Sequence, residues 1–257
     1  MDKRNINKPF EVVILCAGFG SRIKKATLIP KCLLKIGKKT ILERILFILE
    51  KNNIYEVNIV TGYKDNLIKK HLSKSSNKLK IKYIKNKNPK KFGNTYSLFL
   101  GIMNVNSNVL IIDGDLVFDE RIISKIDKKD KNEILVGDGN ITDKECAKTL
   151  IDKNGNIKKT VDKRHLSIKE KKAYKFVGEA IGIIKISKRN IRKFKNNCKK
   201  FLNKKSNLIL NWEHLINYYC IKEKINFLKI EKKYKWIEVD TPIDYRNAKN
   251  IFKNIKF

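Results

Sequence analysis

Gly18 and Gly20 flank Phe19, Arg22 stands two residues further on, and Lys31 follows nine residues after that. Glycines let a backbone turn sharply and bring its N–H groups close to phosphate oxygens, while a guanidinium and an ammonium offset the phosphate charge. Far along the chain, Asp113 and Asp115 are separated by one glycine, and Asp240 precedes Thr241-Pro242. A divalent ion such as Mg²⁺ takes one or two protein carboxylates and completes its shell with water and phosphate oxygens, so this pair is suited to bridging protein to a polyphosphate. The chemistry open to the set is transfer at phosphorus. An acceptor phosphate is already an anion at neutral pH, so position and charge neutralisation suffice without a general base.

Elements of defined type must hold these groups. Val12-Val13-Ile14-Leu15-Cys16-Ala17 is a continuous apolar run rich in β-branched residues, which fits a strand buried on both faces of a parallel sheet. Ligands bind in the loop after such a strand. A dinucleotide fingerprint would need a third glycine opening a helix, where Ile23 stands, and the Gly-Lys-Ser/Thr of a Walker A loop is absent. Two glycines alone also suit a plain turn, and so does Asp-Gly-Asp after the buried run Val109-Leu110-Ile111-Ile112. Arg22, Ile29-Pro30-Lys31 and Asp240 favour the functional reading.

Strands and helices alternate in the first half. Thr40-Ile41-Leu42-Glu43 is a capping box for a helix running to about Asn52, Val57 to Thr61 reads as a strand, Asp65 to Leu72 as a short helix, and Leu79, Ile81 and Tyr83 as a half-exposed strand. A helix from about Thr95 to Met103 leads into Val109. This order implies a mainly parallel sheet covered on both faces. After residue 130 the rhythm changes: strands around Ile134 and Leu150, the Asn154-Gly155 turn and Ile157 to Val161 suit hairpins, a lid or rim over the first half. A strand from Ile181 to Ile186, helices from Ser187 to about Leu202 and from Asn211 to about Lys222, and a helix start at Thr241-Pro242-Ile243-Asp244 complete the pattern.

The chain has 257 residues and a formal charge of +33 from 59 basic and 26 acidic side chains. That charge on its face suggests nucleic acid or an anionic membrane. The excess, however, is Lys scattered beside Asn and Ile, which reads as a solvated surface. Five cysteines, with no Cys-x-x-Cys pair and one left over, indicate neither a disulfide framework nor a zinc site and suit a reducing cytoplasm. No run is long enough to span a bilayer. His71, His165 and His214 have no triad or metal-ligand spacing around them, and structural or exposed roles are expected.

Ala17-Gly18-Phe19-Gly20-Ser21-Arg22, followed by Pro30-Lys31-Cys32-Leu33-Leu34-Lys35-Ile36, resembles the opening signature of the nucleotidyltransferases that join an NTP to a phosphorylated sugar or small alcohol. The resemblance continues through Thr61-Gly62-Tyr63, Gly93-Asn94-Thr95-Tyr96-Ser97-Leu98, Asp113-Gly114-Asp115, Gly178-Glu179-Ala180-Ile181-Gly182 and Glu238-Val239-Asp240-Thr241-Pro242. Cys16 stands where Ala is usual and Ile29 where Leu or Thr is frequent; neither departure removes a charge. The Asn-x-Tyr-Ser-Leu element is closer to the cytidylyltransferases acting on phosphocholine or aminoethylphosphonate.

The resemblance implies a single α/β, Rossmann-like (GT-A-like) domain over residues 1–257: a mainly parallel mixed sheet with helices on both faces and a small β-rich acceptor-side subregion. Residues of about 10–130 would bind nucleotide and about 131–257 the acceptor. It implies catalytic roles for Arg22 and Lys31, metal ligation by Asp115 and Asp240, and Asp113 close behind them. Nucleotide contacts fall to Ala17, Gly18, Gly20, Ser21, Arg22, Lys31, Gly62, Asn94, Ser97 and Asp113. The Asn94 amide suits the edge of cytosine, and equally a helix N-cap. Acceptor contacts fall to Lys163, Glu179, Trp212 and Glu213. An indole beside a carboxylate suits an ammonium, and Trp212 also suits core packing.

The expected activity is a cytoplasmic, Mg²⁺-dependent transfer of CMP from CTP to phosphocholine or 2-aminoethylphosphonate with release of pyrophosphate. CTP and the acceptor are the expected partners, without nucleic acid or membrane, and a homodimer is compatible with the chain. A sugar-1-phosphate or inositol-phosphate nucleotidyltransferase is the alternative within the class. A nucleic-acid-binding protein and a metal-dependent glycosyltransferase are the alternatives outside it, and the second leaves Pro30-Lys31 without a role.

Overall fold

The computed structural model describes residues 10–23, 28–75, 78–127 and 129–253. Its central strand, β1 (Glu11–Cys16), lies between β4 (Glu56–Thr61) and β6 (Val109–Asp113) and is parallel to both. Val12 and Ile14 enter the core on one face of the sheet, and Val13 and Leu15 the core on the other, as the unbroken apolar run requires. β5 (Lys80–Lys85) is parallel to β4 and closes this edge with alternating lysines, which discourage pairing with another chain.

Between β1 and β4 the chain also forms a two-stranded antiparallel ribbon of β2 (Lys35–Ile36) and β3 (Lys39–Thr40), and three helices cover the faces of this half. α1 (Ile41–Lys51) starts at the expected box: Glu43 N–H donates to Thr40 Oγ1 at 3.2 Å, and Glu43 Oε2 accepts from Thr40 N–H at 2.7 Å. α1 and α2 (Asp65–Leu72) pack on the Val12 face, and α3 (Asn94–Ile102) packs on the Val13 face.

The sheet turns mixed beyond β6. β7 (Leu116–Phe118) and α4 (Arg121–Ser124) lead to β8 (Glu133–Gly137), and β9 (Lys148–Ile151) and β10 (Ile157–Val161) form the expected antiparallel hairpin. After α5 (Ile168–Ala173), β11 (Lys175–Ile186) runs antiparallel to β6, β8 and β9. β11 is twice the length expected from its apolar end. It carries Gly178 and Gly182 at positive φ, and the register shifts between Phe176 and Gly178 and between Ala180 and Ile184 interrupt any alternation.

α6 (Lys188–Leu202) and α7 (Trp212–Tyr219) pack on the same side as α3, α7 ending before the expected Lys222. β12 (Asn226–Lys229) pairs parallel with β8, and α8 (Pro242–Ile251) follows β13 (Trp236–Glu238). β13 pairs antiparallel with β7, and this two-stranded ribbon brings residues near 240 to the end of β6. No helix among the described residues is long and apolar enough to cross a membrane.

Candidate active site

β1 and β6 end side by side, Leu15 in register with Asp113, and Gly114 N–H donates to the Leu15 carbonyl at 3.0 Å. A Cβ on Gly114 would lie 2.5 Å from Cys16 Sγ, so only glycine lets the Asp113–Asp115 loop cross this close to the first one. Strand order reverses at β1, where open α/β sheets leave a crevice. The cleft found there has a volume of about 250 Å³.

Ala17, Gly18, Gly20, Lys31, Asn94, Ser97, Asp113, Asp115, Lys163, Trp212, Glu213 and Asp240 all line it. Arg22 stands at its rim, bonded to two lining residues, Glu145 at 2.6 Å and Asp240 at shorter range. Three positions fall outside the lining. Ser21 is an exposed turn residue, and Gly62 presses on the back of the first loop, its notional Cβ 2.8 Å from the Ala17 carbonyl. Glu179 sits half-buried beside Cys146, with burial pushing its carboxyl up to about 7. Glu179 is not among the residues lining this cleft, although its neighbour Ala180 is.

Asp240 follows β13, and Val239 N–H donates to the Asp115 carbonyl at 3.0 Å, so the ribbon fixes the two carboxylates together. α8 opens behind Asp240 with its own box, Asp244 N–H donating to Thr241 Oγ1 at 3.2 Å. Lys31 Nζ lies between the acids, 2.7 Å from Asp240 Oδ1 and closer to Asp115 Oδ2. Lys163 Nζ reaches Asp240 at 3.4 Å. Burial alone would lower the Lys31 pKa, but Asp115 and Asp240 outweigh it and hold the ammonium above its usual value. Burial would raise the carboxyl of Asp240, but the charge and hydrogen bond of Lys31, with the charges of Lys163 and Arg22, override it and bring the carboxyl down to about 2.

Gly20 explains the first loop. At φ +57° it occupies the left-handed region, and a Cβ there would meet Lys31 Cγ at 2.7 Å. The loop therefore wraps against the lysine it was expected to accompany.

Asp113 is enclosed behind this cluster, and burial followed by the Asp115 charge pushes it up to about 7. Its Oδ2 accepts from Trp212 Nε1 at 3.0 Å, so the indole serves both packing and the site. Asn94 is a helix cap, though not of its own helix: its Oδ1 accepts from Trp212 N–H at 2.8 Å at the start of α7, and the residue lines the cleft. The buried Ser97 hydroxyl accepts from Asn86 Nδ2 at 3.1 Å.

Glu213 is the odd acid. It is 8 % exposed, its Oε2 is buried without a hydrogen-bond partner, and burial followed by the Asp162 charge raises its carboxyl well above the usual range. An unpaired buried carboxyl oxygen is costly and marks a place where a donor belongs.

Glu145, Asp162, Asn211 and Glu238 also line the cleft and escaped the sequence reading. Glu238 could have been found, because it stands two residues before Asp240 across the buried Val239, as Asp113 stands before Asp115. Oxygens of Asp115, Glu238 and Asp240 lie within 4.8 Å of one another. Glu238 opens on the cleft, yet its surroundings and then Asp115 and Asp240 raise its carboxyl well above the usual range. This all-oxygen, anionic donor set fits a hard divalent cation.

The fold is that of the nucleotidyltransferases. The CTP:phosphocholine cytidylyltransferase of Streptococcus pneumoniae superimposes with a TM-score of 0.75 at 17% identity, over 95% of this chain and 99% of that one. By sequence, the chain is 34% identical over 110 residues to the D-glycero-alpha-D-manno-heptose 1-phosphate guanylyltransferase of Campylobacter jejuni, 42% of this chain and 49% of that protein. It is 27% identical over 119 residues to the CMP-5'-(3-aminopropyl)phosphonate synthase of Streptomyces rubellomurinus, 46% of this chain and 19% of that protein. The chain thus spans less than half the length of these curated relatives. It belongs to the family described as a domain of unknown function, DUF6564, whose model matches residues 29–252. The match takes in Lys31, both halves of the acidic cluster and Glu213, and begins after the glycine loop.

Proposed function

We propose that this protein is a divalent-metal-dependent cytidylyltransferase that moves CMP from CTP to a small phosphorylated or phosphonylated alcohol bearing an ammonium, 2-aminoethylphosphonate or phosphocholine, and releases pyrophosphate. The observation that carries the proposal is the convergence of Asp115 and Asp240 on Lys31, with Arg22 beside them. Asp115 and Asp240, with Glu238 adjoining, would hold Mg²⁺, which supplies charge neutralisation at the triphosphate when bound. Lys31 and Arg22 orient the triphosphate and offset the charge on the departing pyrophosphate. The acceptor's phosphate or phosphonate oxygen, gripped by Lys163, attacks the α-phosphorus in line, and no proton need be removed from it.

The glycine loop and Asn94 take the nucleoside. Glu213 and Trp212 favour a cationic acceptor, because the empty carboxyl oxygen of Glu213 gains a partner only from a group that donates to it or neutralises it. The relative that makes a CMP-linked aminoalkylphosphonate supports the same choice of nucleotide and acceptor. Pyrophosphate release measured for each NTP against 2-aminoethylphosphonate, phosphocholine, phosphoethanolamine, inositol phosphate and hexose 1-phosphates tests the proposal. Turnover with CTP and an ammonium-bearing acceptor is expected. Turnover confined to sugar phosphates with another NTP would replace this reading.

A further inference from the structure

Lys148, in β9, is fully buried and reaches no group of the phosphate site. Its ammonium donates to three backbone carbonyls: Asp143 at close range, Cys146 at 3.0 Å and Arg164 at 3.1 Å. The first two belong to the loop after β8 and the third to the loop after β10. One buried cation therefore ties together two segments, and each delivers a charge to the cleft: Glu145 to Arg22 at 2.6 Å, and Lys163 to Asp240 at 3.4 Å.

Lys163 is held at φ +45°, in the left-handed region that residues with a Cβ avoid. Both of its neighbours are pinned. Asp162 Oδ2 accepts from Asn211 Nδ2 at 2.9 Å, and the Arg164 carbonyl accepts from Lys148. A strained backbone persists only where its surroundings over-determine it.

We propose that Lys148 is a positioning residue: clamped on the carbonyls of Asp143, Cys146 and Arg164, it keeps Lys163 in its strained conformation and so presents that side chain to the acceptor's phosphate or phosphonate. The last step rests on the function proposed above. Lys148 acts through Lys163 and touches no substrate.

Two double-mutant cycles test it. In the first, the thermal midpoints of Lys163→Gly and Lys163→Ala are compared without substrates, in the wild type and in Lys148→Met. Both substitutions remove the charge but only glycine takes positive φ without the steric cost of a Cβ, so in the wild type the glycine variant is expected to melt higher by about 2–4 °C. In Lys148→Met the released loop leaves the left-handed region, and the gap closes or inverts because glycine then only adds chain entropy. A gap of equal size in both backgrounds overturns the proposal.

In the second cycle, Lys148→Met raises the acceptor KM about tenfold with the nucleotide KM within about twofold, and adds less than about twofold once Lys163 is alanine. Equal losses in both backgrounds also overturn it. Should Lys148→Met fail to fold, Lys148→Gln takes its place in both cycles with the same expectations. If the wild type turns over no acceptor, the proposed function falls, and the melting cycle alone still decides whether Lys148 sustains the strain at Lys163.

Discussion

Lys31→Met keeps most of the side chain and removes the charge between Asp115 and Asp240. In the wild type the ammonium lies 2.7 Å from Asp240 and closer to Asp115, and all three side chains are only 15–17% exposed. At an effective dielectric of about 20, opposite charges about 3 Å apart attract by about 5 kcal/mol. Desolvation absorbs much of that, and deleting one partner of a buried pair costs about 3–5 kcal/mol. The residual exposure puts the expectation near about 3 kcal/mol, a fall of about 6–12 °C in the midpoint of a chain this size. What remains is a cluster of carboxylates within 4.8 Å that a divalent cation can neutralise. Scanning fluorimetry in EDTA and then in millimolar Mg²⁺ separates the contributions: the variant should lose stability in EDTA and recover most of it with Mg²⁺, while the wild type moves little. Turnover should not recover, because the proposed function also gives the ammonium to the triphosphate, and kcat/KM should stay about 100- to 1000-fold down. Equal stabilisation of both proteins by Mg²⁺, or an unchanged midpoint in EDTA, refutes the reading of Lys31 as counter-ion to these acids.

Glu213→Gln should raise the KM of an ammonium-bearing acceptor about tenfold and leave that of CTP unchanged; steady-state kinetics with each substrate varied would show it, and a shift in the CTP KM alone would remove Glu213 from the acceptor side. Gly20→Ala puts a Cβ at φ +57° and 2.7 Å from Lys31 Cγ. A loss of about 1–2 kcal/mol in urea unfolding is expected, together with a fall in kcat/KM as Lys31 is displaced. Glu170 accepts from Arg164 at 2.7 and 2.8 Å and pairs with Lys159 at 2.5 Å, so its carboxyl is held well below the usual 4.5. Its contribution to stability is complete above that value and is lost as pH falls toward the folded-state value. The midpoint difference between wild type and Glu170→Gln should therefore be constant above pH about 5 and shrink below it; a difference that grows in acid would contradict the sign.

The first half of the fold was legible because each element there is specified locally. The apolar run of β1, the Thr40–Glu43 box of α1 and the apolar spacing of the eight residues of α2 are local signals, and the structure places these elements within a residue or two of expectation. β7 and β13 have three residues each, too few to show a period, and they exist because they pair with one another across more than a hundred residues. That pairing is what joins Asp240 to Asp115. A sequence reading without the family resemblance had no route to it, and it passed over Glu238 on the same ribbon. Glu145, Asp162 and Asn211 were missed for a related reason: each lies in a loop whose course is set by distant partners, Arg22 for the first and the Asn211–Asp162 hydrogen bond for the others. Glu179 shows the converse. Its motif matched, yet the shift in register between Phe176 and Gly178 in β11 precedes it, and its side chain lies against Cys146 outside the cleft.

The charge of the chain reads differently once the cleft is known. A formal +33 invites a nucleic-acid interpretation, yet Asp113, Asp115, Glu145, Asp162, Glu213, Glu238 and Asp240 line the cleft against Lys31 and Lys163. Among the described residues, the lysines and arginines other than Lys31 and Lys163 do not line the crevice, and exposed cations of that kind raise the encounter rate of anions without discriminating among them. Inside, acidic side chains outnumber the lysines among the described lining residues, and the crowding shows in Asp113, Glu213 and Glu238, whose carboxyls burial and neighbouring acids push up toward the neutral form. In the proposed function two cationic additions would relieve that imbalance: a divalent ion at the cluster of Asp115, Glu238 and Asp240, and the ammonium of the acceptor at the unpaired oxygen of Glu213. Until they arrive, Lys31, Arg22 and Lys163 occupy the acidic cluster themselves, all three sharing Asp240. The groups proposed to bind phosphate are thus held by the groups proposed to bind metal. On the proposed function, Lys31, Arg22 and Lys163 would give up these carboxylates for phosphate oxygens while a divalent cation bound by Asp115 and Asp240 would supply the replacement positive charge, so that neither set of charges need be left unpaired in the low-dielectric base of the cleft.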